Sequence, residues 1–515
     1  MSAEDETPTR SYMGEHVNLC PGHGASGRHP TRAGLDRLAG HDEPGMFGRM
    51  FPSLRPLDVP DPELRALAEA MLDPDPRDTS LDNPRIPAGF TYLGQFVDHD
   101  VTLDLTSLSD KKRDPLGLQN FRTPALDLDN VYGLGPDGSP HLYARDRENP
   151  GTRGPELLIG ENVDVEFGGV VGPFRNDLPR SPEGTALIGD PRNDENLLVA
   201  QTHLAFLKFH NAVCAQLAAD GTPSEDVFAE ARRLVTWHYQ YLVLHDWVDR
   251  LCGDGTVDRI LHDGRRFYRF KRRPYMPVEF SAAAYRLGHS MVRQRYGHNR
   301  VFPDTDFGLL FDFTGLSGRL LGDLAPAEPA GPLPQPVLPS NWIIDWRRFH
   351  ELDRPDDVPL NPSRRLDPLL VEELHALPND GGDLAFRNLK RGVSLGLPSG
   401  QDVARAIGVT EPLAPDEIAQ GPDGRAAEAA GLHRTTPLWY YVLKEAQVRE
   451  DGERLGEVGR TLVGEVFVGL VHGDTESYLW RRGKDWTPTL PAAAAGRFTM
   501  ADLLRFVDDI NPIGD

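Results

Sequence analysis

The sequence predicts a mainly α-helical protein, a single large domain with long loops and very little β structure. Three observations point to that class. Apolar residues recur at helical spacing in several long segments. Strand-like runs are few and short, and no internal repeat divides the chain. At 515 residues the chain is long for one domain, yet it is large enough to bury a core that encloses a cofactor.

Each element follows from local composition. Residues 1–60 are rich in Gly, Pro, His and Arg without periodicity, and predict an arm on the surface or partly disordered; residues 61–515 are the domain. Residues 61–72 predict a short helix with Asp61 as its cap and Pro62 at its first position. Residues 105–195 hold many Gly, Pro and Asp and read as long loops, which in a compact protein tend to carry function. Helices follow over 196–219 (Leu197, Leu198, Ala200, Leu204, Phe206, Leu207 and Ala212 at helical spacing), over the aromatic-rich 225–251 and over 279–294. A fourth covers 456–472, with Val458, Leu462, Val463, Val466, Phe467 and Leu470. Residues 324–340 read as a rigid Pro-rich connector.

Composition excludes several classes. Lys+Arg 55 against Asp+Glu 78 gives a formal charge of −23, which repels nucleic acid and disfavours anionic membranes. Three cysteines, Cys20, Cys214 and Cys252, are too few for a disulfide framework; Cys214 and Cys252 lie in helical, partly apolar stretches and read as inert core residues. No CxxC or HExxH pattern suggests zinc. No stretch of about 18 apolar residues exists to span a membrane, and the polar start lacks a secretory pattern. The expectation is a cytoplasmic protein, with leaderless export as the alternative.

Five segments concentrate side chains capable of chemistry. The first is Gly94-Gln-Phe-Val-Asp-His-Asp, where His99 stands between Asp98 and Asp100. Neighbouring carboxylates tune an imidazole's proton affinity, and on a helix Gln95 and His99 share a face. A solvated acidic turn fits this segment alone equally well. The second, Thr123-Pro-Ala-Leu-Asp-Leu-Asp, places side-chain oxygens at 123, 127 and 129, which face one way in extended chain. Such oxygens suit a hard cation such as Ca²⁺, with Asp100 completing the set, although the spacing is not that of an EF-hand and a plain Asp-rich turn is the simpler account. The third carries Arg192 and Glu195 just before the 196–219 helix, either as functional charges or as a surface salt bridge. The fourth is Gly288-His289 in an apolar stretch; the small residue lets a planar group approach, while a satisfied core histidine is the commoner role. The fifth offers Asn388 as a hydrogen-bond acceptor for a buried imidazole.

Together the five segments, in order from about Phe90 to Ala404, resemble the peroxidase–cyclooxygenase superfamily, the animal-type, myeloperoxidase-like haem peroxidases. The resemblance implies haem b and Ca²⁺ as cofactors, and hydrogen peroxide and a small reducing donor (halide, thiocyanate or phenol) as substrates, reacting through compound I. It implies that His99 is the distal histidine, Arg192 the distal arginine, and Gln95 the distal glutamine that binds water or a halide. His289 would be the iron ligand, with Asn388 as its hydrogen-bond acceptor and Arg391 near a haem propionate. Asp100, Thr123, the Ala125 carbonyl, Asp127 and Asp129 would bind calcium. Asp98 and Glu195 fall where the family's haem ester bonds form. Asn196 follows Glu195, so a methionine sulfonium link is not expected.

Three rivals remain. A fatty-acid dioxygenase of the same superfamily would use a tyrosine three residues before the iron ligand; here that residue is Arg286, and Tyr285 is one further away. A non-catalytic haem-binding protein would not be expected to keep both His99 and Arg192. Gly392-Val-Ser-Leu-Gly matches a hydrolase nucleophile elbow with Ser394, but the charged residues before it do not suit a central strand. Gly133-Leu-Gly-Pro-Asp-Gly reads as a loop rather than a dinucleotide site, because Pro136 and the missing helix break the motif.

Overall fold

Helices form where apolar periodicity is strongest. The computed structural model describes residues 47–103, 120, 122–146, 151–271, 273–311, 314–315, 337–377 and 382–515. Its helices of eight or more residues are α1 (Asp61–Ala70), α2 (Gly89–Val101), α3 (Leu197–Ala219), α4 (Val227–Leu242), α5 (Thr256–Asp263), α6 (Leu384–Ser394), α7 (Gly400–Ile407), α8 (Gly421–Ala429), α9 (Leu438–Glu450), α10 (Glu457–Gly473) and α11 (Met500–Val507). Among the described residues, the named strands form two-stranded pairs only. β1 (Phe47–Gly48) runs parallel to β5 (Met276–Pro277), and three antiparallel pairs join β2 (Asp82–Pro87) to β8 (Pro362–Arg364), β3 (Tyr143–Arg145) to β4 (Arg153–Leu157), and β6 (Arg295–Tyr296) to β7 (Thr305–Asp306). The expected mainly α class is the observed one.

The α2 helix sits at the centre. Apart from Gln95 and Asp98 its residues are buried, so it has no solvent face. Phe96 stacks on Phe206 of α3 at 4.5 Å and meets Tyr239 of α4 edge-on at 6.2 Å. That places α2 against both long helices. Asn196 caps α3 by accepting from the Val199 amide at 3.0 Å. After Leu242 the fourth helix continues as a π-helical stretch, Val243–Val248, and then a short α segment, Asp249–Cys252. A π stretch inside an α-helix often marks a functional position, and this one carries Trp247.

Several expectations change. The predicted helix over 279–294 is broken: Val278–Ser281 is one α-helical turn, Ala283 leaves the helical region (φ −137°, ψ −78°), and Ala284–His289 is a 3₁₀ segment. One long-range and one local hydrogen bond hold this shape, Trp439 Nε1 donating to the Arg286 carbonyl at 3.1 Å and Arg286 Nε donating to the Ser281 carbonyl at 3.0 Å. His289 therefore ends a short segment instead of lying inside a helix. In α1, Pro60 takes the cap position and Pro62 is the second residue, because Asp61 turns its carboxylate to Lys390 of α6. The end of the expected surface arm is packed inside: Phe47, Met50 and Phe51 are buried, and the Glu279 carboxylate accepts from the Met50 and Phe51 amides at 3.1 Å each. The remainder of that arm, with Cys20, and most of the 324–340 connector lie outside the described residues.

Other expectations hold. Cys214 and Cys252 are buried free thiols. Among the described residues, no helix is long and apolar enough to cross a membrane. Ser394 is the last residue of α6, so no strand–turn–helix elbow surrounds it.

The Phe96 stack carries α2. Phe96→Ala is expected to lower the unfolding free energy by about 3–5 kcal/mol, the usual cost of emptying a buried aromatic site. A urea midpoint equal to that of the parent protein would contradict this account of how α2 is held.

Candidate active site

Side chains from all the conspicuous segments except the second meet at one cavity. Gln95, Asp98 and His99 come from α2, Arg192 and Glu195 from the turn before α3, Gly288 and His289 from the 3₁₀ segment, and Asn388 and Arg391 from α6. The space outside atoms amounts to about 1660 Å³, open mouth included. Gly94 lets the cavity wall close: a Cβ there would lie 2.6 Å from Trp247 Cζ2. Trp247 Nε1 in turn donates to the Tyr285 hydroxyl at 2.7 Å, and that hydroxyl donates to the Gly94 carbonyl at 3.2 Å.

His99 is buried and held by an amide. Its Nδ1 donates to Asn193 Oδ1 at 2.7 Å, while Asn193 Nδ2 donates to His203 Nδ1 at 2.9 Å. The proton is thereby assigned to His99 Nδ1, and Nε2 keeps its lone pair. Glu195 Oε1 lies 3.7 Å from that Nε2, beyond hydrogen-bond reach. Burial, reinforced by Arg192, lowers the His99 pKa to about 3, so the ring is neutral at ordinary pH. Burial raises Glu195 to about 8. Gln95 donates to Glu195 and accepts from Asn196 Nδ2 at 3.0 Å, which ties α2 to the cap of α3.

Arg192 is anchored rather than extended. Its Nε donates to Asp190 Oδ1 at 3.0 Å, and its Nη2 donates to Asp190 Oδ2 at 2.7 Å and to the carbonyls of His99 and Thr102 at 3.0 and 2.5 Å. No partner for Nη1 is present among the described residues, and Arg192 lines the cavity. The result is a fixed cation at the wall beside His99.

His289 lines the same cavity. Its Nδ1 lies 2.8 Å from Asn388 Nδ2, and no described residue hydrogen-bonds its Nε2. Burial first, then Arg286 and Arg391, lower its pKa to about 3. A Cβ at Gly288 would meet nothing within 4 Å, so the backbone beside His289 faces open space. Arg286, Arg387 and Arg391 line the same cavity from the two elements that carry His289 and Asn388.

The second segment forms a separate cluster behind His99. One carboxylate oxygen from each of Asp100, Asp127 and Asp129 lies within 4.8 Å of the others. Asp100 Oδ1, Thr123 Oγ1 and Asp129 Oδ2 are buried with no hydrogen-bond partner. Burial first, and for Asp100 and Asp127 the charge of Asp129 next, push these carboxyls above their ordinary range. Orphaned oxygens and crowded buried carboxylates are costly unless a cation satisfies them. Ala125 is buried in the same loop.

Sequence reasoning missed Asn193, Asp190 and Arg387. Arg387 could have been found, because it stands four residues before Arg391 on one face of α6. Asn193 and Asp190 stand within two residues of Arg192, but no local pattern distinguishes an amide that grips a histidine 94 residues away.

A model of the animal haem peroxidase family matches residues 106–305. That span holds Asp127, Arg192, Glu195 and His289; Gln95 to Asp100 precede it and Asn388 follows it. A peroxidasin homologue from Caenorhabditis elegans is 25% identical over 309 residues, 57% of this chain and 21% of that protein. Peroxidase A from Dictyostelium discoideum superposes with a TM-score of 0.57 at 16% identity, covering 92% of this chain and 94% of the other. The chain belongs to the peroxidase–cyclooxygenase superfamily. It spans less than half the length of the curated superfamily relatives it matches. A fatty acid alpha-dioxygenase from Oryza sativa has the same TM-score, 0.57, at 16% identity over 92% of this chain and 81% of its own. At such identities the backbone likeness shows the superfamily's fold alone.

The wall at Gly94 is testable. Gly94→Ala is expected to cost about 1–3 kcal/mol through overpacking against Trp247. Combined with Trp247→Phe, the two effects should fall short of their sum; strict additivity in thermal unfolding would show that the contact is not made.

Proposed function

We propose that this chain is a haem-dependent peroxidase that reduces hydrogen peroxide and oxidises a small donor such as a halide, thiocyanate or a phenol. One observation carries the reading. Two buried, neutral imidazoles, His99 and His289, line one cavity; each has its Nδ1 tied to an asparagine amide and its Nε2 uncommitted.

The residues fit the cofactor. His289 Nε2 would hold the iron; the Asn388 side chain stands at its Nδ1, and with the amide turned to present its oxygen it would accept from Nδ1–H and strengthen the ring as a donor. Open space at Gly288 leaves room for a planar macrocycle, and Arg286, Arg387 and Arg391 would meet its propionates. Asp98 and Glu195 line the cavity, as ester attachment to haem would require. Calcium would be held by Asp100, Thr123, Asp127 and Asp129 with the Ala125 carbonyl, which would satisfy the three orphaned oxygens.

Haem, when bound, would supply the redox chemistry that couples two-electron reduction of peroxide to oxidation of the donor. The protein supplies proton handling. His99 Nε2 takes the proton from one peroxide oxygen and returns it to the other, which departs as water. Asn193 keeps the opposite ring nitrogen protonated throughout, so the basic site stays on Nε2. Arg192 stabilises negative charge developing on the departing oxygen. Gln95 orients a water or halide beside them.

The dioxygenase alternative draws support from Tyr285, which lines the cavity, and from the shared fold of the rice enzyme. Against it, the Tyr285 hydroxyl donates to a backbone carbonyl, so no base receives its proton on oxidation. Oxygen uptake with linoleate, without continuing peroxide consumption, would favour that alternative.

The purified protein is expected to show a Soret band that His289→Ala removes. His99→Ala should keep the band and slow the reaction with peroxide by about 10²–10⁴-fold in stopped-flow mixing; an undiminished rate refutes the assignment. Haem that acidified organic solvent extracts intact would show that the ester links are absent. Chelation is expected to lower the thermal midpoint, since calcium at a hundred times its Kd contributes about 2.7 kcal/mol.

A further inference from the structure

A line of alternating charges joins the acidic cluster to the cavity. Arg122, 2% exposed, donates from Nη1 to Asp129 Oδ1 at 2.9 Å. On its other side Arg122 Nε donates to Asp190 Oδ2 at 3.1 Å, and Nη2 contacts the same oxygen and donates to the Gly189 carbonyl at 3.1 Å. Asp190 is fully buried and also accepts from the backbone amide, Nε and Nη2 of Arg192. The two loops touch backbone to backbone, since a Cβ at Gly189 would lie 2.4 Å from the Asn130 carbonyl oxygen. The sequence Asp129, Arg122, Asp190, Arg192 therefore runs without a gap, and every member is at least largely buried.

We propose that Asp190 and Arg122 are positioning residues for Arg192, and that through them the cation held by Asp100, Asp127 and Asp129 sets how strongly Arg192 acts on the cavity. This inference rests on the haem and calcium reading above. Buried charges respond to one another strongly because little water screens them. With the cation present, Asp129 is neutralised and Arg122 rests on Asp190. Asp190 is then shared between two guanidinium groups, and Arg192 keeps most of its positive field for the cavity. Without the cation, the crowded carboxylates draw Arg122 towards Asp129, Asp190 is left to Arg192 alone, and that field is spent on the aspartate.

Fluoride binding to the haem protein, read from the Soret shift, reports positive charge at the cavity wall and is not an activity. Chelating the wild-type protein is expected to weaken fluoride about tenfold, within the usual range of coupling between sites. Arg122→Met should show that loss with calcium present and respond to chelation by less than about twofold, because the connection is already cut. Arg122→Lys, which keeps the charge, should recover part of the wild-type response. Asp190→Asn, close in volume, should behave like Arg122→Met and serves if that variant fails to fold. Coupling is reciprocal, so saturating fluoride should tighten terbium or calcium binding by the same factor in wild type and not in Arg122→Met. Chelation also reaches His99 through adjacent Asp100, so the comparison between proteins, not the wild-type response, decides. A pigmented Arg122→Met protein with wild-type fluoride affinity and an undiminished chelation response overturns the relay and leaves the peroxidase reading standing. A colourless wild-type protein overturns both.

Discussion

The structure depends on burying a polar helix. Along α2 stand Gln95, Asp98, His99 and Asp100, yet His99 and Asp100 have almost no access to solvent. An unpartnered polar group in that environment costs about 1–3 kcal/mol, more if charged. The surroundings of α2 answer this cost: Asn193 meets His99, Glu195 and Asn196 meet Gln95, and Tyr239 donates to Asp100 Oδ2 at 3.0 Å. The apolar side is equally occupied, by Phe206 against Phe96 and Trp247 against Gly94. A helix held from every side gives its histidine one orientation. That is what proton transfer at a single nitrogen requires.

Burial does the electrostatic work on both sides of the cavity. It keeps His99 and His289 neutral, and an asparagine orients each ring, Asn193 through its Oδ1 at Nδ1 of His99 and Asn388 through its Nδ2 at Nδ1 of His289. Asparagine suits the task because it is uncharged; a carboxylate there would favour the imidazolium form. The charges near His99 are compensated locally. Asp190 is pushed up by burial, but Arg192 and Arg122 outweigh this and hold it well below the ordinary carboxylate range. Among the described residues, Asp100, Asp127 and Asp129 are the cluster with metal-ligand spacing, and they keep oxygens for which the protein offers no donor. That contrast separates an ion network whose charges are paired from a cluster whose oxygens are not.

The His289 side is built differently. His289 ends a 3₁₀ segment whose shape is imposed by bonds from Trp439 and within the 281–286 loop, and its asparagine comes from α6, 99 residues later. The α6 helix supplies Asn388 together with Arg387 and Arg391, so one short amphipathic helix provides both the imidazole's partner and cationic groups. Peroxidase and dioxygenase structures share this backbone, which is why the functional reading stands on particular side chains and not on the fold.

Much was legible in the residues alone. The mainly helical class, α3 and α10 follow from local periodicity, because a 3.6-residue apolar repeat specifies a buried helix face without reference to distant chain. The chemistry-bearing side chains were visible too, since each lies in a short segment dense in groups that seldom cluster without purpose. What the sequence could not contain is who meets whom. The break before His289, the burial of Phe47 to Phe51, the asparagine that grips His99 and the Arg122–Asp190–Arg192 ladder all depend on contacts between residues far apart in the chain. Such contacts are decided when loops without periodicity pack against helices. There the cost of burying each charge selects its partner, and no local pattern carries that information.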